Sequence, residues 1–163
     1  MVGGTCIVFK VASVWCSLDQ RFVRRILPLP LLDQPPGLPT AIEGTFSLSG
    51  AAVPVLRLDR LFGLTPSPAS IYQHLILCRR DGAPLALLVD LVSHVATVPE
   101  DRTSPLCASE TLNGCVAGAF QMGPTTVHML DGDRLLDQHE QRMLADFQAA
   151  QQRRYDSLEA KPA

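Results

Sequence analysis

The segment FSLSGAAVPVLRLDRLFGL, residues 46–64, combines the longest strand-like pattern of the chain with its most varied set of polar residues. Apolar residues stand on both sides of Gly50, and the second apolar run contains valine, proline and leucine. Short apolar runs rich in β-branched residues and bounded by glycine are typical of strands joined by a turn. The segment therefore predicts two strands separated near Gly50, with polar side chains at Ser47, Ser49 and Arg57.

The same pattern occurs a second time. VPVLRLDRLF, residues 53–62, and VHMLDGDRLL, residues 127–136, share V-x-x-L-x-x-D-R-L-[FL]. Each copy is preceded by an apolar strand, a turn and another apolar strand that ends near an aspartate, Asp19 in one case and Asp90 in the other. Self-similarity of this kind indicates an internal duplication.

The duplication predicts an all-β protein built from two small subdomains. Approximate ranges are 5–70 and 71–137, with boundaries that depend on whether strands are exchanged between them. Most prolines fall between the apolar runs, where they do not interrupt a strand. Each subdomain is too short for many strands unless its sheet curls into a small barrel.

The tail has a different pattern. Residues 138–160 contain neither proline nor glycine and place Met143, Phe147 and Ala150 at helical spacing. This pattern predicts a C-terminal helix that packs through its first turns.

Bulk composition restricts the possible partners. A net charge of −2 and a pI near 6.0 provide no long-range field that would attract nucleic acid or an anionic membrane. The chain has no uninterrupted apolar run of about 18 residues, and its first residues, MVGGTCIVFKV, lack the basic leader of a secretion signal. We therefore expect a cytoplasmic protein that neither inserts into a membrane nor binds nucleic acid.

No motif for catalysis or metal binding is present. The five cysteines never form C-x-x-C, and they are expected to be reduced. The four histidines have no second histidine or carboxylate at metal-binding spacing. The sequence also lacks the glycine-rich phosphate loops and the G-x-S-x-G nucleophile turn, although SLSG at 47–50 is superficially similar to the latter. We expect no enzyme activity, no metal and no cofactor.

Five short motifs follow one another along the chain. Their positions are Phe9, Val11, Leu18, Asp19, Val23 and Ile26; then Leu27, Pro28 and Pro35; then Gly44, Leu48, Gly50, Pro54, Val55 and Leu58; then Leu87, Val89, Asp90, Val92 and Val95; and finally Val116, Gly118, Met129, Leu130, Asp131, Leu135 and Leu136. In this order they resemble the CheW-like domain, the coupling module of bacterial chemotaxis signalling that also occurs at the end of the kinase CheA. The resemblance covers about residues 5–137.

The resemblance implies a fold, a function and two partners. The fold is two intertwined five-stranded barrels of Src-homology-3-like type, here followed by a C-terminal helix. The function is that of a non-catalytic adaptor in chemotaxis or a chemotaxis-like pathway. The partners are the regulatory domain of a CheA-type histidine kinase and the cytoplasmic tip of a methyl-accepting chemoreceptor.

The resemblance also implies partner-binding positions: Val23, Arg25, Gly44, Ser49, Gly50, Val53, Arg57, Val92 and Val95. Three of them, and the neighbouring Ser47, depart from the family pattern. Ser47 and Ser49 replace an asparagine and an arginine, Arg57 replaces an aspartate, and Arg25 stands at an acidic position. Arginine is a favoured interface residue because its planar fork donates several hydrogen bonds, which serine cannot do.

Two other functions are compatible with the same barrels. One is a sensory or regulatory module that binds a small molecule between the subdomains, and a junction filled by side chains would count against it. The other is a hydrolase built on Ser47 or Ser49, which requires a histidine within hydrogen-bond reach of one of these serines.

Overall fold

The structure, a computed structural model, describes residues 4–66, 68, 70–80, 84–98, 103–104, 116–136 and 138–160. A short 3-10 turn, Gln20–Phe22, joins the second strand to the third. The strands and helices are, in order, β1 Thr5–Val11, β2 Val14–Asp19, β3 Val23–Pro28, β4 Ile42–Leu48, β5 Ala51–Arg57, α1 Leu58–Leu61, β6 His74–Cys78, β7 Ala86–Val89, β8 Leu91–Thr97, β9 Thr103–Ser104, β10 Val116–Met122, β11 Thr125–Leu130 and α2 Gln138–Ala160.

The described strands form two sheets. The first has the order β8-β1-β2-β11-β10-β9, and the second has the order β3-β6-β7-β5-β4. Because β9 has only two residues, each sheet is built from five longer strands. Neighbouring strands are antiparallel except in two pairs, β2 with β11 and β5 with β7, which are parallel. The predicted fold class of two small β subdomains and a C-terminal helix is confirmed.

Two strands are exchanged between the halves of the chain. β3 follows the β1–β2 hairpin along the chain but pairs with β6, and β8 follows the β6–β7 hairpin but pairs with β1. The second sheet therefore contains only strands between residues 23 and 89, and the first joins residues 5–19 to strands from 91–130. The two sheets therefore do not correspond to the two halves of the chain, because each sheet contains strands from both halves.

The two copies of the repeat occupy corresponding places in the two sheets. β5 lies between antiparallel β4 and parallel β7, and β11 lies between antiparallel β10 and parallel β2. Both hairpins also have a register irregularity at the same point, between Ile42 and Gly44 in β4 and between Val116 and Gly118 in β10. The duplication inferred from the sequence is thus visible in the strand pairing.

Strands at the centre of the sheets are buried on both faces. In β1, Phe9 packs into the core that the two sheets share, whereas Val8 packs into the core of the first sheet alone. In β7, Leu87 faces the shared core and Leu88 faces the core of the second sheet. Successive side chains point to opposite faces of a strand, so burial of both faces explains the continuous apolar runs.

Helix α2 packs over more of its length than predicted. Its buried side chains, among those described, are Leu144, Gln151 and Tyr155, with Phe147 partly buried against the shared core. Met143, which was predicted to face the protein, is 43% exposed. The prediction was wrong at this position and at the exposed Ala150, because the buried face of the helix runs through Leu144, Phe147, Gln151 and Tyr155 instead.

Candidate partner-binding surface

The β4–β5 hairpin turns through two residues with left-handed backbone, Ser49 at φ 52° and Gly50 at φ 85°. Positive φ at both central positions gives a two-residue turn whose twist matches that of the strands. Glycine adopts this conformation freely, whereas a residue with a side chain does so at a cost of about 1 kcal/mol. Ser49 is exposed. We call Ser49 and Gly50 the hairpin tip.

Gly44 is required by a close approach of the backbone. It lies buried in β4, where the segment after β3 runs antiparallel beside the strand and Asp33 and Thr45 exchange main-chain hydrogen bonds of 2.8 and 2.9 Å. A Cβ atom on Gly44 would lie 2.6 Å from the carbonyl oxygen of Asp33 and 3.0 Å from the Cβ of Leu32. The glycine therefore supports the hairpin from within the protein.

Arg57 belongs to a largely buried ion-pair network at the end of β5. Its Nη2 and Nε lie 2.6 and 3.0 Å from the two carboxylate oxygens of Asp59, and its Nη1 lies 3.4 Å from Glu43. Only 13% of the Arg57 side chain and 6% of the Asp59 side chain are exposed. The hydrogen bonds to Asp59 raise the pKa of Arg57, which therefore stays charged. The side chain is held by this network and not presented to solvent.

Val53 has no accessible surface and packs inside the core of the second sheet. Of the predicted positions on the β4–β5 hairpin, only the hairpin tip is therefore accessible. Gly44, Val53 and Arg57 shape the hairpin from inside.

The remaining predicted positions lie on the exchanged strands. Arg25 is exposed on β3, and Val95 is 62% exposed on β8. Val23 and Val92 are half-buried and pack against the shared core. β3 and β8 are edge strands of their sheets, and edge strands leave main-chain groups open to a partner. We call these four residues the edge-strand group.

Helix α2 covers the hairpin through glutamine side chains, a contact that the sequence did not predict. Gln152 Oε1 accepts a hydrogen bond of 2.7 Å from the amide of Ala52, and Gln152 Nε2 donates to the carbonyl of Gly50 at 2.9 Å. Gln148 Nε2 donates to the carbonyl of Ala52 at 3.2 Å. On this side of β5, β7 pairs with the strand only from Val55 onwards. The glutamine side chains bind the main chain of β5 before that point. The i, i+4 spacing of Gln148 and Gln152 places both on one face of the helix, but the sequence alone does not distinguish such glutamines from solvent-exposed ones.

The described histidines make contacts away from both candidate serines. Nδ1 of His74 lies 2.8 Å from the carbonyl of Tyr72, and Nδ1 of His94 lies 2.8 Å from the hydroxyl of Ser93. Nδ1 of His128 lies 3.3 Å from the carbonyl of Trp15. Within the described side chains, no histidine hydrogen-bonds to Ser47 or Ser49; the side chain of His139 lies outside them.

The three described cysteines, Cys6, Cys16 and Cys78, are free thiols. Burial raises the pKa of Cys16 and of Cys78 to about 12, so both remain protonated and unreactive. Cys107 and Cys115 lie outside the described residues. In the part of the chain that the structure describes, no three metal-binding side chains come together, and no helix is long and apolar enough to span a membrane.

The junction of the two sheets contains a cavity of about 560 Å³. It is lined by residues from both sheets and from the segment after β11, including Arg21, Phe22, Arg79, Arg80 and Leu136. Side chains therefore do not fill the junction, which leaves a recess between the two sheets.

Comparison with known proteins identifies the family. The family model of the CheW-like domain matches residues 5–140. The chain belongs to the CheW-like domain family. Its fold is similar to that of the scaffolding protein TtCheW from Thermoanaerobacter tengcongensis in a crystal structure, with a TM-score of 0.72 and 24% identity over 80% of this chain and 90% of that one. A search of curated proteins finds no match.

Family membership explains the lack of catalytic motifs. Proteins of the CheW-like family are non-catalytic scaffolds, and this chain is accordingly a chemotaxis scaffold adaptor rather than an enzyme. Of the nine predicted partner-binding positions, the accessible ones are those of the hairpin tip and the edge-strand group.

Proposed function

We propose that this CheW-like protein couples a methyl-accepting chemoreceptor to a CheA-type histidine kinase in the cytoplasm, without a cofactor. The proposal is supported by the division of the accessible predicted partner-binding positions into two groups on different strands. An adaptor must hold two partners at once, so it needs two separate contact surfaces. The hairpin tip and the edge-strand group supply them.

The two surfaces differ in chemistry. The edge-strand group combines the exposed Val95 and the half-buried Val23 and Val92 with the charge of Arg25. The hairpin tip offers a hydroxyl and main-chain atoms, of which the Gly50 carbonyl is already bound by Gln152. We infer that one partner binds each surface, and that modest individual contacts are strengthened when many adaptors act together in an array.

The proposal is tested by calorimetric titration with two purified fragments from the same organism, the regulatory domain of a CheA-type kinase and the cytoplasmic tip of a chemoreceptor. Wild-type protein is expected to bind both. Val95→Asp is expected to weaken one of the two interactions about tenfold, because it buries a charge in an apolar contact. Gln121→Asp, at an exposed position in β10, introduces the same charge and is the control. Absence of binding to both fragments would overturn the proposal.

A second substitution tests the hairpin tip. Ser49→Arg restores the residue that the family carries there, and we expect about tenfold tighter binding of one fragment because arginine adds several hydrogen bonds. Ser47→Arg is the matched control, since Ser47 is exposed two residues earlier on the same hairpin. Equal effects of the two substitutions would show that added charge, and not the hairpin tip, changes the affinity.

A further inference from the structure

Five arginines from two distant parts of the sequence meet at the start of β3. Arg21, Arg24 and Arg25 belong to the 3-10 turn and β3, whereas Arg79 and Arg80 follow β6. Pairing of Val23 with Cys78 brings the two runs together, and the amide of Arg79 donates to the carbonyl of Phe22 at 2.8 Å. All five side chains are exposed. We call them the arginine surface.

The arginine surface differs in its ion pairing from three other arginines of the protein, Arg57, Arg60 and Arg134. Arg57, Arg60 and Arg134 each pair with a carboxylate at 2.6–3.5 Å. Among the described residues, none of the five arginines of the arginine surface forms an ion pair. Concentrated positive charge on a chain whose net charge is −2 produces a local field that an acidic partner can use.

The junction cavity opens beside this charge. Arg21, Arg79 and Arg80 line it together with one carboxylate, Asp133. Its apolar lining includes Leu18, Leu85, Leu135 and Leu136. A cationic border around a partly apolar recess suits a binding partner that carries carboxylates beside an apolar side chain.

One wall of the cavity is held rigidly by Phe22. A Cβ atom on Gly132 would lie 2.5 Å from the Phe22 ring, so the ring packs directly on the glycine backbone. The guanidinium carbon of Arg21 lies 4.8 Å from the centre of the same ring, which orients this cation over the aromatic face. The charge of Arg21 therefore lies at the border of the cavity, beside the Phe22 ring.

We propose that the arginine surface and the junction cavity bind an acidic segment of a protein partner, with an apolar side chain of that segment in the cavity. This inference rests on the proposed function, because it describes the chemistry of the partner that meets the edge-strand group. Arg25, which belongs to both surfaces, stands where the family pattern is acidic. The partner surface is correspondingly acidic in this pathway.

A protein segment fits better than a nucleic acid. Sequence-independent binding of single strands uses several aromatic side chains on which bases stack. The cavity contains one aromatic ring among its lining residues, Phe22, and Arg21 covers it. The leucines that line the recess can instead contact an aliphatic side chain of a peptide.

The first experiment measures binding of two synthetic amphipathic peptides that have the same leucines and differ only in carrying glutamates or lysines. The glutamate peptide is expected to bind at least about tenfold tighter, and to weaken when salt is raised from about 50 to 300 mM. The double variant Arg79→Glu/Arg80→Glu is expected to lose this binding by about tenfold or more. Arg153→Glu/Arg154→Glu, an adjacent exposed pair on α2, changes the net charge equally and is the control.

The outcomes separate the alternatives. Equal binding of the two peptides, or an equal loss in the α2 control, would overturn the proposal. A single-stranded oligonucleotide that binds as tightly as the glutamate peptide would overturn the proposal in favour of a nucleic acid. Free glutamate that competes with the peptide at equal concentration would overturn it in favour of a small anion. If Arg79→Glu/Arg80→Glu does not fold, as judged by thermal unfolding, Arg79→Gln/Arg80→Gln takes its place.

The second experiment titrates the same variants with the kinase regulatory domain and the receptor tip. Loss of one interaction in Arg79→Glu/Arg80→Glu alone would identify the partner that carries the acidic segment. Unchanged binding of both would overturn the inference while leaving the proposed function intact. If wild-type protein binds neither fragment, the proposed function fails, and the peptide measurement still decides whether the arginine surface binds acidic segments.

Discussion

The two copies of the repeated motif have the same strand pairing but different polar chemistry. In the first copy, Arg57 and Asp59 are largely buried and linked at 2.6 Å. In the second, Asp131 and Asp133 occupy the corresponding positions, and the Asp131 carboxylate accepts the Asp133 amide at 3.0 Å and lies 3.5 Å from Arg134 in a more exposed setting. The apolar residues of the motif serve a shared topology, whereas its polar residues have adapted to local surroundings.

A second difference concerns what covers each copy. The first half of β5 is bound by Gln148 and Gln152 of α2, and Tyr155 reaches Asp33 and Thr45 beside it. In β11, the described pairing is with β10 and β2. The helix thus makes the first copy the more constrained of the two. A polar residue in a family motif is therefore not sufficient to indicate partner contact, since its role depends on what covers it.

The largest expected effect is on the buried ion pair. Asp59→Ala leaves Arg57 buried with only the more distant Glu43, and we expect a loss of about 3 kcal/mol in the free energy of unfolding. Asp133→Ala, the same change in the second copy, is expected to cost no more than about 0.5 kcal/mol because Asp133 is exposed. Urea denaturation of the two variants measures both. Similar losses would contradict the contrast between the copies.

The next largest effect on stability is expected at Gly44, where the segment that contains Asp33 runs beside β4. Gly44→Ala places a Cβ atom against the Asp33 carbonyl, and we expect a loss of about 2 kcal/mol in stability from the resulting strain. Ser47→Ala, at an exposed position of the same strand, is the control and is expected to change stability by less than about 0.5 kcal/mol. An unchanged free energy of unfolding in Gly44→Ala would show that the segment around Asp33 moves to accommodate the new Cβ atom without cost.

A smaller effect is expected where α2 is anchored. Tyr155 donates a hydrogen bond of 2.7 Å to Asp33 and lies 3.1 Å from the Thr45 hydroxyl. Tyr155→Phe removes both contacts and is expected to lower stability by about 1 kcal/mol, as measured by urea denaturation. A loss under about 0.3 kcal/mol would mean that the hydroxyl contacts do not anchor the helix.

The same residue predicts a dependence on alkaline pH. Burial raises the pKa of Tyr155 above its ordinary value near 10, so the folded state favours the neutral phenol. This contribution is fully present below pH about 10 and is lost as pH rises through the raised pKa. Stability of the wild type should therefore fall more steeply above pH 10 than that of Tyr155→Phe. Parallel pH profiles would contradict this expectation.

The sequence predicted the parts of the fold that depend on apolar patterning. Strand positions, the duplication and the tail helix follow from the spacing of apolar residues, which is a local property. The exchange of β3 and β8 is not local, because either strand has an apolar pattern compatible with both sheets, and only the family resemblance indicated intertwining.

The candidate site was less predictable from sequence. Arg57 was expected to meet a partner, yet its side chain is held by Asp59 and Glu43, residues separated in sequence by strand β5. The convergence of Arg79 with Arg21 depends on the pairing of β3 with β6, which local patterns do not specify. Family motifs located the hairpin, but burial decided which of its residues are accessible.

The most direct test of the account is a sedimentation-velocity measurement on a mixture of this protein, the kinase regulatory domain and the receptor tip. We predict a ternary complex that contains all three, because the hairpin tip and the edge-strand group lie on different strands. Displacement of one fragment by the other, with binary complexes only, would contradict the claim that this adaptor holds both partners at once.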